Sequence, residues 1–299
     1  MTHGNNLSPL PFYPSLDDQD SKKWWAYGDI YLLIVSKTKL IPFFFRFANP
    51  NGATIDTIKV YKMCCRPQEQ GGDFNYDFNN DFLLERNGIH TYWYDAFNSK
   101  IHISTANGYT DVYYNGDASA LPFEKGRYYM EFIFKYTQSD VEHFISIYSD
   151  VFTCVDDIEL SNFVKVEWKC NTSLATEDGS IPYSSGYKNI LYLDTDICQP
   201  TYEFEEEGEQ RNGYFFPIKQ ISYKKYGFKF TAPEYLCDCM RLIRMSDAVA
   251  LTDKKGGTYN ATQFTLEPTW LEGGHYASVV CEFTTQTVVK MIGKAVSVS

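Results

Sequence analysis

Apolar and polar positions in this chain alternate in short runs, and the runs are divided by residues that turn the backbone. Between Asp29 and Asp156 the runs are Ile30 to Val35, Leu40 to Phe47 and Ile55 to Met63, then His90 to Tyr94, Lys100 to Ser104 and Thr110 to Tyr114. Gly126 to Lys135, Glu142 to Ser149 and Val151 to Val155 complete the series, and Asn49-Pro50-Asn51-Gly52 is one of the intervening turns. Alternation with a period of two, bounded by Gly, Pro, Asn and Asp, marks β-strands. Tyr128 to Phe134 alternates as a strand with both faces partly covered. Strands so short and so evenly punctuated predict an immunoglobulin-like β-sandwich over residues 29–156.

A second β-rich, α+β domain is predicted over 157–299. Its strands are Phe163 to Lys169, Lys188 to Thr195, Tyr214 to Lys219, Gln220 to Thr231, Ala248 to Thr252, Gly257 to Glu267 and His275 to Lys290. One short helix near 233–246 interrupts them: Pro233 suits a first helical position and Glu234 the positive end of the dipole. Leu236, Cys239, Met240 and Ile243 form its apolar stripe, with Arg241 and Arg244 on the other side. Asn171 to Gly186 and the acidic Glu203 to Glu209 read as loops.

Residues 1–28 read as an extended N-terminal arm, because Pro9, Pro11 and Pro14 forbid helix and interrupt ladders. An arm is ordered only when it lies on something, here a second domain or another copy of the chain. Pro11, Phe12, Tyr13, Trp24, Trp25 and Tyr27 are its candidate interface residues, the tryptophans serving equally well as a lid on the first core. On this reading, deleting residues 1–23 leaves both domains folded and weakens assembly.

With 299 residues the chain has room for two domains and an arm. Aromatic residues make up 17% of it, with 24 Tyr and 22 Phe, which favours half-buried pleated surfaces. A formal charge of -11 argues against broad phosphate-backbone binding, so no specific nucleic-acid partner is expected. The eight cysteines are irregularly spaced and read as reduced, mostly buried thiols. The N-terminal residues lack the charge and apolar run of a signal peptide. No apolar run approaches the roughly 20 residues a membrane helix takes, so no membrane insertion is expected.

Candidate chemistry is thin. Glu203 to Glu209 is the densest charge run, but glycoside hydrolysis needs two converging carboxylates, one with a raised pKa. Glu205, Glu206 and Glu207 read instead as interface residues that meet Arg211, Arg241 and Arg244, or a basic patch on a neighbour. Asp73 to Asp81 alternates oxygen ligands with aromatics but places Phe78 and Leu84 where a calcium loop needs Gly and Glu. Cys237 and Cys239 lack the CxxC spacing of zinc or redox sites, and Cys64-Cys65 is vicinal. The scattered histidines include one pair, His90 and His102, that neighbouring strands could bring together. No catalytic, cofactor or metal residues are assigned, and the chain is read as not an enzyme.

Longer stretches carry a resemblance. Tyr187 to Thr195, Tyr202 to Gly208, Arg211 to Pro217, Lys219 to Ser222, Ala232 to Asp238, Met240 to Met245 and Thr285 to Lys290, with Leu10 to Tyr13, Trp24 to Gly28 and Phe123 to Tyr129, resemble a family of virion structural proteins. The family belongs to tailed phages and prophages of Bacteroidetes, including the crAss-like phages. Gln68 to Asn80 and Cys239 depart from its pattern. The resemblance implies a non-enzymatic protein of the tail, neck or tail-associated ring, assembled in the host cytoplasm and carried in the virion. Its partners would be copies of itself in a symmetric ring and other tail or neck proteins. A carbohydrate-binding or adhesion module, with Tyr92 and Trp93 stacking on sugars, is the alternative.

Overall fold

The computed structural model describes residues 7–15, 33–49, 52–62, 82–83, 99–116, 123–176, 179–271 and 276–291. Within these the chain is mainly β with one short helix. The first half contributes β1 (Phe12–Tyr13), β2 (Leu33–Ser36), β3 (Phe43–Ala48), β4 (Thr54–Lys62), β5 (Phe82–Leu83), β6 (Ile101–Ala106), β7 (Tyr109–Tyr114), β8 (Gly126–Gln138), β9 (Val141–Ser149) and β10 (Phe152–Val155). The second half contributes β11 (Val164–Lys169), β12 (Leu174–Thr176), β13 (Gly179–Ile181), β14 (Asn189–Leu193), β15 (Thr201–Arg211) and β16 (Tyr214–Pro233). The helix α1 (Glu234–Met240) follows, then a 3-10 turn over Arg241–Met245 and the strands β17 (Ala248–Thr252), β18 (Thr258–Ala261), β19 (Gln263–Trp270) and β20 (Tyr276–Met291).

The first half is a two-sheet sandwich organised on β8. β4 pairs along one side of it, while β9 and β10 pair with its two ends on the other. β1 extends this sheet beyond β9, and β2 closes it by pairing parallel to β10. The facing sheet is β3-β7-β6. Alternation puts Tyr128, Met130, Phe132 and Phe134 of β8 inward, all fully buried. Rings of the other sheet meet them: Phe47 lies 4.7 Å from Phe134 and Phe43 stands edge-on to Phe132 at 5.8 Å. Offset and edge-on aromatic pairs add about 0.5–1.5 kcal/mol beyond their buried area, so this layer is the sandwich's main adhesive.

In the second half two sheets, β14-β11-β17-β18 and β15-β16-β20-β19, enclose α1. No strand of β1–β10 pairs with any of β11–β20 among the described residues. The halves nonetheless share one contiguous apolar core, and a smaller cluster of Leu7, Phe44, Tyr183, Tyr187 and Leu242 straddles both. The connection between them is tied down as well. Asp157 accepts hydrogen bonds from Ser36 Oγ and from Thr38 Oγ1 (2.7 Å), and Lys37 pairs with Asp156 at 2.6 Å.

The hydrogen bonds from Ser36 and Thr38 hold the Asp157 carboxyl below its ordinary value of 3.8. A depressed acid stabilises the fold above its unfolded pKa, and that contribution disappears as pH falls through the lower folded value. Asp157→Asn is therefore expected to lose about 0.5 kcal/mol at pH 7, exposure keeping the effect small. The deficit should vanish near pH 2 when urea unfolding is compared across pH.

Several expectations are corrected. Glu203 to Glu209 is not a loop but the middle of β15, and Tyr214 to Thr231 is one unbroken strand. Both errors have one cause, since long strands exposed on two faces lack the apolar alternation that marks ordinary ones. Pro233 lies just outside the helix with extended backbone (ψ 164), so Glu234 opens it, and after Met240 the helix tightens into the 3-10 turn. Asn171 to Gly186 carries the small hairpin β12–β13.

Candidate functional site

The chain's most unusual feature is an arm built by β15, β16 and the end of β20. Asn212 (φ 51) and Gly213 (φ 82) form a two-residue turn with both central residues left-handed, the geometry that matches the twist of paired strands. From it β15 and β16 run back antiparallel, for 11 and 20 residues respectively. Gly208 sits at a bulge where a Cβ would lie 2.2 Å from the Phe216 carbonyl oxygen, so only glycine fits. β20 joins the other side of β16 from Lys219 to Pro233.

Burial divides this sheet in two. From Phe228 toward Pro233, β16 lays Phe228, Phe230 and Ala232 into the core against Val279, Cys281 and Phe283. From Tyr214 to Gly227 no side chain of β16 is fully buried, and every residue of β15 is exposed or half-exposed. At about 3.3 Å per residue this uncovered ribbon runs roughly 45 Å.

Register assigns its side chains to two faces. The face continuing the core row carries Phe204 and Val288, 73% and 66% exposed and both level with Ser222, then Phe215 opposite Gln210. The opposite face carries Glu203, Glu205, Glu207 and Glu209 at alternate positions, with Tyr223, Ile221, Phe216, Tyr214 and Val289. A row of large apolar side chains in water has no folding rationale, and contiguous exposed apolar surface of this kind marks sites of contact.

The acids on that face are partly neutralised within the ribbon. Tyr223 donates its hydroxyl to Glu205 (2.9 Å) and Glu203 (3.1 Å), which pushes the phenol up to about 12. Lys225 pairs with Glu282 and Glu203, Arg211 with Glu209, and Lys219 lies 3.8 Å from Glu207. On the other face Gln220 donates to Glu206 at 2.6 Å. A depression of about 170 Å³ beside Glu203, Tyr223, Lys225 and Glu282 is smaller than the roughly 300–1,000 Å³ of small-molecule sites.

The residues singled out from sequence are scattered. Glu205, Glu206 and Glu207 lie on the ribbon. Pro11, Phe12 and Tyr13 are buried in the chain's own sandwich, where Phe12 stacks on Phe45 at 4.1 Å. They are therefore not available to a neighbouring copy. Arg241 and Arg244 are exposed on the 3-10 turn. Neither meets the acidic run: Arg241 lies 4.0 Å from Asp238, and Arg244 has no ion pair among the described residues. Trp24, Trp25, Tyr27, Tyr92, Trp93, His90, Cys64, Cys65 and the acidic-aromatic stretch Asp73 to Asp81 lie outside the described residues. The tyrosines, phenylalanines and valines of the ribbon were missed, although Asn212-Gly213 is a strong hairpin signal.

Reactive candidates fall elsewhere and serve the fold. Glu131, buried on the outer face of β8, accepts hydrogen bonds from Tyr61, Ser146 and Tyr148 at 2.8–3.1 Å, with Lys59 3.6 Å away. That set satisfies one carboxylate. His102 stacks on Tyr113. The free thiols of Cys154, Cys239 and Cys281 are pushed up by burial, and that of Cys237 to about 11, so they stay protonated and poorly nucleophilic. Among the described residues no three His, Cys, Asp or Glu side chains converge as metal ligands, and no helix is long and apolar enough to cross a membrane.

No protein-family model, curated protein or solved structure matches this chain.

Proposed function

We propose that this chain is a non-enzymatic virion structural protein of a tailed bacteriophage, present in several copies in the tail, neck or tail-associated ring. The observation that carries this reading is the uncovered ribbon of β15, β16 and β20, with large apolar side chains on both faces. Such a ribbon is ordered without a core of its own, and its apolar rows are stable in water chiefly when another surface covers them. The sequence resemblance supplies the setting. Copies of this chain and other tail or neck proteins are the partners, assembled in the host cytoplasm and carried in the virion.

The test is twofold: light scattering of the purified protein across concentration, and mass spectrometry of purified particles. Higher-order species and recovery from virions are expected. A protein that stays monomeric at high concentration and is absent from particles would defeat the proposal.

A further inference from the structure

The acidic ribbon and the two exposed arginines belong to different elements, the hairpin β15–β16 and the turn that follows α1. Glu205 is level with Ile221 of β16, while Pro233 leads directly into α1 and the Arg241–Met245 turn. Among the described residues neither Arg241 nor Arg244 makes an ion pair with these glutamates in its own chain. The two surfaces match in character. On the turn, Met245 stands 57% exposed beside Arg244, an apolar side chain next to a guanidinium without an ion pair among the described residues. On the ribbon, Glu205 and Glu207 flank exposed aromatic surface.

We infer that the distal ribbon of one copy seats on the Arg241–Met245 turn of a second copy, glutamates toward arginines and aromatics toward Met245. This inference rests on the assembly reading above and names its contact. The occupant is a second copy because the ribbon's acids and the turn's arginines are complementary in charge yet make no ion pair with one another within the chain among the described residues. On the glutamate face the exposed Tyr214, Phe216 and Val289 offer on the order of 300 Å² of apolar surface, the scale of a small, transient contact rather than a standard interface. The contact uses different patches on the two partners, so it repeats head to tail and closes into a ring or extends as a filament.

Charge reversal tests it in the full-length chain. Glu205→Lys/Glu207→Lys and Arg241→Glu/Arg244→Glu should each weaken self-association about tenfold in sedimentation velocity. The variant carrying all four substitutions should recover most of that loss. Circular dichroism of each variant should match the wild type, because all four side chains are solvent-facing. Tyr214→Ser, at the ribbon tip, provides an uncharged second probe and should weaken association as well.

Wild-type assembly with either reversal pair leaving it unchanged would overturn this contact and leave the assembly proposal standing. Recovery absent in the fourfold variant would overturn it equally. A wild-type chain that never associates would remove both.

Discussion

Phe12→Ala is expected to destabilise the protein by about 3–5 kcal/mol, a loss in line with large-to-small substitutions at packed aromatic sites. The ring sits among Phe43, Phe45 and Phe132 at 4.1–5.7 Å, so its removal opens a void that these three flat neighbours cannot fill. Deleting residues 1–13 goes further. It removes β1 from β9 and takes out Leu7 and Leu10, both buried, together with the bond that Cys239 donates to the Leu7 carbonyl. The combined loss rivals the 5–15 kcal/mol total stability of ordinary proteins, so the truncated chain should be unfolded or aggregated. This runs against the expectation that both domains stay folded when residues 1–23 are deleted and only assembly is weakened. Urea unfolding of Phe12→Ala is the measurement, and a value within 1 kcal/mol of wild type would show that the segment does not hold the sandwich together.

Shortening the ribbon should have the opposite profile. Glu205 and Ile221 are directly paired, so replacing residues 206–220 with Asn-Gly closes a shorter hairpin. The excised residues bury no side chain in the core, and the midpoint of thermal unfolding should move by only a few degrees. Self-association should fall below detection at micromolar concentration, because Tyr214, Phe215 and Phe216 leave with the tip. Sedimentation and melting on one preparation separate the two effects. Undiminished association would place the contact elsewhere on the molecule.

What the sequence disclosed follows the physics of burial. Strands with one face in a core alternate cleanly, and Tyr128 to Phe134 was legible as the spine of a sandwich for that reason. The helix was legible because Leu236, Met240 and Ile243 return to one side every three or four residues, though Pro233 proved to stand just before it. The ribbon was not legible. With neither face buried, its positions are free of the selection that imposes alternation, and five glutamates within seven residues look like a solvated loop. Partners for the acids were equally hidden, since only register shows that Tyr223 lies beside Glu203, while Arg241 has Asp238 as its nearest acid partner among the described residues. Nor could the fate of Pro11, Phe12 and Tyr13 be read. A two-residue strand takes its identity from β9, more than 130 positions downstream.

The pairing of Leu7 with Cys239, and of β2 with β10, has a bearing on how the molecule is made. The ribosome delivers the beginning of the chain long before the residues that hold it, so these N-terminal segments must wait, unanchored, while most of the polypeptide is synthesised. Contacts so distant in sequence slow folding and leave apolar strands open in the interval. A nascent chain halted short of Cys239 lacks the thiol that grips its own start, and would present itself to the cell's chaperones and proteases as an unfinished product.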